Sequence, residues 1–138
     1  MGYKTLQKSI FIHRNFHLLT SIVIVFTVSL FYGFGKVELW TKIFDFEGFT
    51  IDLSHVFSAI MGLYLGMVAF WMMGVLNQTY WRAASWCLVF FMGGLAAGRI
   101  CSMMISGIPS FPFCIGLVIE LALAFWSWHN IRAYPQIS

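Results

Sequence analysis

The sequence predicts an all-α membrane protein, a four-helix antiparallel bundle with both termini cytoplasmic. Three observations predict it. Of 138 residues, 60% are hydrophobic and 9% charged, where soluble domains carry about 25% charged residues. Four apolar stretches are each about as long as the 20 residues a helix needs to cross the hydrocarbon core. The basic residues fall mostly on one side of those stretches. Such a composition suits a lipid-facing surface and not a watery one. The length suits a single integral membrane domain over 1–138. The formal charge of +3 is scattered along the chain, so nucleic-acid binding has no support.

Residues 1–15 have the positive flank of a signal peptide. The apolar run at 16–34 is too long for a signal h-region and lacks a small-x-small cleavage site, which predicts a retained first span. Leu6, Ile10, Phe11 and Arg14 fit an amphipathic turn that extends it backward. The connection at 35–53 interleaves Trp40, Phe44, Phe46 and Phe49 with charges, a pattern for a segment lying along the membrane surface. Spans two, three and four fall at 54–76, 83–106 and 111–128. Short turns at 77–82 and 107–112 force neighbouring spans to run antiparallel. Helices are the natural solution, because lipid offers no partners to unpaired backbone amides.

Orientation follows from Lys4, Lys8, Arg14, Arg82 and Arg132, which belong on one side, against Lys36 and Lys42 on the other. The positive-inside rule then places both termini in the cytoplasm. Glu38, Asp45, Glu47 and Asp52 fall in the first outer loop, whereas Glu120 lies within span four.

Helices in lipid associate by close approach and polar contacts. Small residues four apart therefore predict contact faces: Ser54, Ser58, Gly62 and Gly66 on span two; Gly94, Gly98, Ser102 and Ser106 on span three; Gly116 and Ala124 flanking Glu120 on span four. The first span, with Ile22, Ile24, Phe26, Leu30 and Phe31, is bulkier and is expected to meet more lipid.

Arg99 and Glu120 stand out as ionisable residues inside spans, where a charge at the helix centre costs about 2.5 to 3.5 kcal/mol on insertion scales. Arg99 lies seven residues before Ser106, and Glu120 seven residues after Phe113, near where span four re-enters, which puts both about 10 Å below the outer ends of their helices. Antiparallel neighbours bring those levels together and predict a salt bridge. Arginine keeps its charge and must find acceptors; Ser102 and Ser106, on the same side of span three, are candidates to join the polar site. The pair serves either to pin two helices together or to line a site for a polar substrate or proton.

Weaker signals fall away on spacing. His13 and His17 share a helical face but are too few for a metal site, and an interfacial pair is expected. His55 and His129 lie near membrane boundaries. Cys87, Cys101 and Cys114 sit in apolar runs with no paired spacing, and the Met72–Met73 and Met103–Met104 doublets point in diverging directions on a helix. No metal or other cofactor is implied, and no complete catalytic motif appears.

The run Met61-Gly62-Leu63-Tyr64-Leu65-Gly66, then Gly98-Arg99-Ile100-Cys101-Ser102, Gly107-Ile108-Pro109-Ser110 and Glu120, resembles a family of small four-span bacterial membrane proteins known as a domain of unknown function. The resemblance covers roughly the last 85 residues. It implies a four-helix membrane fold in a bacterial cytoplasmic membrane and no particular activity. Ser106 stands where the family pattern leads one to expect an acid, which weakens the case for a charged outer gate. Two functions follow from the residues: a non-enzymatic accessory subunit or assembly factor of a membrane complex, or a binding or transport module for a small or lipidic molecule with Arg99 and Glu120 in its pocket. Expected partners are membrane lipid and, beyond it, other membrane subunits or a second copy of the chain. An enzyme is the least supported reading.

Overall fold

The computed structural model describes residues 2–34 and 51–134, with side chains from residue 13 onward. It contains helices α1 (Gly2–Phe34), α2 (Ile51–Leu76), α3 (Gln78–Ser106) and α4 (Phe111–Ala133), and no strand among the described residues. All four have a stretch long and apolar enough to cross a membrane, starting at His13 in α1. The all-α bundle expected from the sequence is therefore present. The aromatic segment between α1 and α2 lies outside the described residues, apart from its end. There α2 starts at Ile51, earlier than expected, and has Asp52 in its first turn, where a carboxylate complements the helix dipole.

The turns set the antiparallel hairpins. Between α2 and α3 a single residue, Asn77, stands outside both helices. Its side chain accepts a hydrogen bond of 3.0 Å from the Thr79 amide and caps α3. The connection expected at 77–82 is thus mostly helix, because the Asn77 cap supplies the start signal five residues before the apolar run. Close to this turn, a Cβ on Gly74 would collide with the Ala84 methyl, so only glycine lets α2 and α3 close so tightly. At the opposite end α3 stops at Gly107, whose φ of 88° suits a residue without a Cβ. Pro112 in the first turn of α4 occupies a position whose amide needs no helical partner. Below, the end of the bundle with the α3–α4 turn is called upper and the end with the α2–α3 turn lower.

α1 packs chiefly on α2, and α3 on α4, with α2 against α3 joining the two hairpins. The core comprises Leu18, Ile22 and Val25 of α1, Tyr64, Trp71 and Val75 of α2, Trp81, Ala84, Leu88 and Met92 of α3, and Leu123 of α4. Edge-on ring contacts of Phe91 with Tyr64 (5.3 Å) and Trp71 (5.7 Å) bind α2 to α3, and Tyr32 meets Tyr64 at 5.7 Å. Hydroxyls within the helices return to their own backbone, as Ser21 does to His17 O and Ser58 to Ser54 O, which removes their cost in an apolar setting.

Two packing expectations are corrected here. α1 is the most buried helix of the four, with 33% of its apolar window inside the bundle against 22%, 17% and 17% for the others. Phe26 and Leu30 do face outward, but Ile22 and Val25 enter the core, and Asn15, His17, Ser21 and Ser29 are buried with them. Second, Gly62, Gly66, Gly94 and Gly98 are exposed, and a Cβ on any of them would meet nothing within 4 Å among the described residues. A stripe of small residues permits close approach but does not choose the face that packs. Large side chains made that choice, with Tyr64 and Trp71 taking the buried side of α2 and Leu88 and Met92 that of α3.

Candidate functional site

Polar side chains inside the bundle gather in two tiers. The upper tier is the expected ion pair. Arg99 Nε donates to Glu120 Oε1 at 2.9 Å and Oε2 at 3.0 Å. The guanidinium lies over the Phe113 ring, 5.3 Å from its centroid. It also lies against Gly116, where a Cβ would come within 3.6 Å of its Cζ and Nη2. Gly116 thus faces α3 through the arginine head, at ordinary contact distance. The two partners differ in access: the Glu120 side chain is 9% exposed and that of Arg99 24%.

Arg99 also lines an open cleft of about 430 Å³ between α1, α2 and α3. Its apolar walls are Ile60 and Leu63 of α2 and Leu95 of α3, joined by Tyr32 and Tyr64; Gly94 and Gly98 lie between, and Ser102 sits beside Arg99. Of the expected site residues, Arg99 and Glu120 come together and Ser102 joins Arg99 on the cleft. Ser106 does not: it is the last residue of α3, is exposed and lines no part of the cleft. Neither serine hydroxyl hydrogen-bonds the ion pair. The Nη groups of Arg99 likewise donate to no acceptor among the described residues.

The lower tier was not foreseen. His17 is fully buried, whereas His13 is exposed, so the expected interfacial histidine pair does not exist. His17 Nδ1 lies 2.8 Å from Asn130 Nδ2, and its Nε2 lies 3.0 Å from Ser85 Oγ. An amide nitrogen only donates, so Nδ1 accepts and Nε2 carries the proton. Ser85 Oγ accepts a hydrogen bond from Nε2–H and donates one to Trp81 O at 2.9 Å, while Ser127 Oγ donates to Ser85 O at 2.8 Å. Both ring nitrogens are satisfied with the imidazole neutral. The network ties α1, α3 and α4 together, and Arg14 stacks over Trp81 at 5.2 Å on its flank. Asn15, buried nearby in sequence, has no partner for either amide atom among the described residues.

Leu88, Met92 and Leu123, all in the core, separate the tiers by level. Along α4, Glu120 and Ser127 are seven residues apart, about 10 Å. That spacing is the one signal in the sequence for the lower tier, since Glu120, Ser127 and Asn130 share a helical face. Without a charge it did not stand out from the serines common in membrane helices.

A family model described as a domain of unknown function (DUF4345) matches residues 14–129, the first span included, and so reaches further than the motifs of the last 85 residues. Neither a curated protein nor a solved structure matches the chain.

Proposed function

The chain belongs to the DUF4345 family, and we propose that it is an intramembrane binding module for a small or lipidic molecule, held in the cleft beside Arg99. The observation that carries this reading is the cleft itself, an apolar trough with one cationic side chain on its wall. Its volume falls in the range of about 300 to 1,000 Å³ usual for small-molecule sites. Intramembrane charges mark functional pathways more often than chance, and a purely structural ion pair has no need of an open face. Native mass spectrometry from nanodiscs tests it. The wild type should carry a bound small molecule or lipid that Gly98→Leu, which fills the cleft, does not. Equal occupancy of the two proteins would remove the support.

The accessory-subunit reading keeps one observation in its favour. Ser54, Ser58, Gly62 and Gly66 form an exposed, smooth stripe on α2, a surface of the kind helices use to associate in lipid. Reproducible co-purification of a larger complex in mild detergent would favour it. Both readings take the chain to lie in a bacterial cytoplasmic membrane with its termini inside. Reporter fusions after Glu47 and after Ser138 should then report opposite sides, and matching signals would refute the orientation.

A further inference from the structure

We infer that the ligand of the cleft is a single-chain amphiphile with an anionic head, a carboxylate or a phosphate monoester, drawn sideways from the bilayer. This rests on the binding role proposed above. The sign of the head follows from which member of the ion pair faces the cleft. Arg99 lines it; Glu120 does not and is the more deeply buried of the two. A cationic head would meet the guanidinium first and be repelled.

The donor count leads to the same class. A guanidinium has five N–H groups. Arg99 commits its Nε–H to both Glu120 oxygens, while the four on its Nη atoms reach no acceptor among the described residues. A planar fork of N–H groups matches the paired oxygens of a carboxylate or phosphate. Ser102, three residues on along α3 and so about 4.5 Å further along its axis, adds a hydroxyl to the cleft wall. The polar side chains that line the cleft, Arg99, Ser102, Tyr32 and Tyr64, can all donate, as an acceptor-rich head requires. A neutral alcohol would leave most of them unused.

The tail follows from the walls. Gly94 and Gly98 leave bare backbone over one turn of α3, about 6 Å of its length, with nothing above it within 4 Å of a Cβ position. Ile60, Leu63 and Leu95 border this strip. A strip one helix stripe wide suits one acyl chain and not two. The cleft lies among helices that would be immersed in lipid and is open on one side, so an amphiphile can reach it without leaving the bilayer.

The test is a titration of purified protein in nanodiscs of zwitterionic lipid with four sixteen-carbon probes: palmitate, hexadecyl phosphate, hexadecanol and hexadecyltrimethylammonium. Acetate and inorganic phosphate serve as tail-less anions. Palmitate and hexadecyl phosphate should bind at least tenfold more tightly than hexadecanol, and the cation and the tail-less anions should not bind measurably. Gly98→Leu should abolish binding of both anionic amphiphiles, and Ser102→Ala should weaken it several-fold. Arg99→Lys, which keeps the charge but loses the fork, should weaken it at least tenfold, with circular dichroism confirming a folded helix bundle. Equal binding of palmitate and hexadecanol, both lost in Gly98→Leu, would overturn the anionic head while leaving the cleft as a binding site. Preference for the cation would do the same. Binding of acetate or phosphate as tight as that of palmitate would overturn the bilayer as source. Binding of no probe by the wild type, or binding that Gly98→Leu leaves intact, would overturn the ligand class and, in the second case, the cleft as well.

Discussion

The two polar tiers of this bundle solve the same problem in opposite ways. The upper tier uses full charges, Arg99 and Glu120, and leaves one of them in contact with a cleft. The lower tier uses only neutral groups around His17, buries them, and satisfies both ring nitrogens with protein partners. Spare donors beside a cavity suit recognition of something absent from the chain. A closed network suits holding helices in place. The lower tier is the stronger polar link of α1 to the α3–α4 hairpin, while the upper tier joins α3 to α4 only. The difference teaches that in a membrane bundle charge alone does not measure structural importance.

That contrast breaks first at Glu120. Glu120→Gln leaves Arg99 without its counter-ion, and loss of one partner of a buried pair costs roughly 3 to 5 kcal/mol in soluble interiors. The partial exposure of Arg99 puts the expected loss near the low end, about 3 kcal/mol. The double variant Arg99→Met with Glu120→Met should lose less than Glu120→Gln alone in denaturant unfolding. The reverse order would show that the pair stabilises the fold through its own attraction. A smaller effect is expected at the lower tier. Asn130→Leu leaves His17 Nδ1 without its donor, and an unsatisfied buried group costs about 1 to 3 kcal/mol. Interhelical hydrogen bonds in membrane proteins average nearer 0.6 kcal/mol, so a loss below that value would show that the network relaxes around the gap. Ser127→Ala, which spares His17, should cost less than Asn130→Leu.

The glycines sharpen the comparison further. Gly74→Ala forces a methyl onto Ala84 and should cost about 1 to 3 kcal/mol by overpacking. Gly98→Ala meets open space and should be neutral, or stabilising by up to about 1 kcal/mol through helix propensity. Thermal unfolding of the two variants in one detergent checks both. Equal destabilisation would mean that Gly98 packs against something after all.

These glycines also show what was legible in the sequence. The spans were, because a run of apolar residues is a one-dimensional signal that needs no tertiary information. The Arg99–Glu120 contact was, because depth in the membrane can be counted along each helix and opposite charges seek each other there. The rotation of each helix was not. Gly62 and Gly66 mark a face of α2 as surely as Tyr64 and Trp71 mark another, and only the complete bundle shows that the aromatics took the interior. The burial of α1 was missed for the same reason. Its Phe26 and Leu30 suggested lipid contact, while Asn15, His17 and Ser21, short and uncharged, concealed a buried polar face. The early start of α3 turned on one capping side chain, Asn77, ahead of Thr79, Tyr80 and Trp81, whose mixed polarity hid a helical turn.

The central claim is that the upper tier is open to a ligand and the lower tier is a closed clasp. It is tested most directly by the thermal shift that palmitate produces in the wild type and in Gly98→Leu. A ligand that binds only the folded state raises its melting temperature by mass action. The account predicts that the two proteins melt within a few degrees of each other without palmitate, a difference worth about 1 kcal/mol or less for a helical glycine replaced in open space, and that saturating palmitate raises the wild type alone. An equal rise in both proteins, or a Gly98→Leu variant that fails to fold, would contradict it.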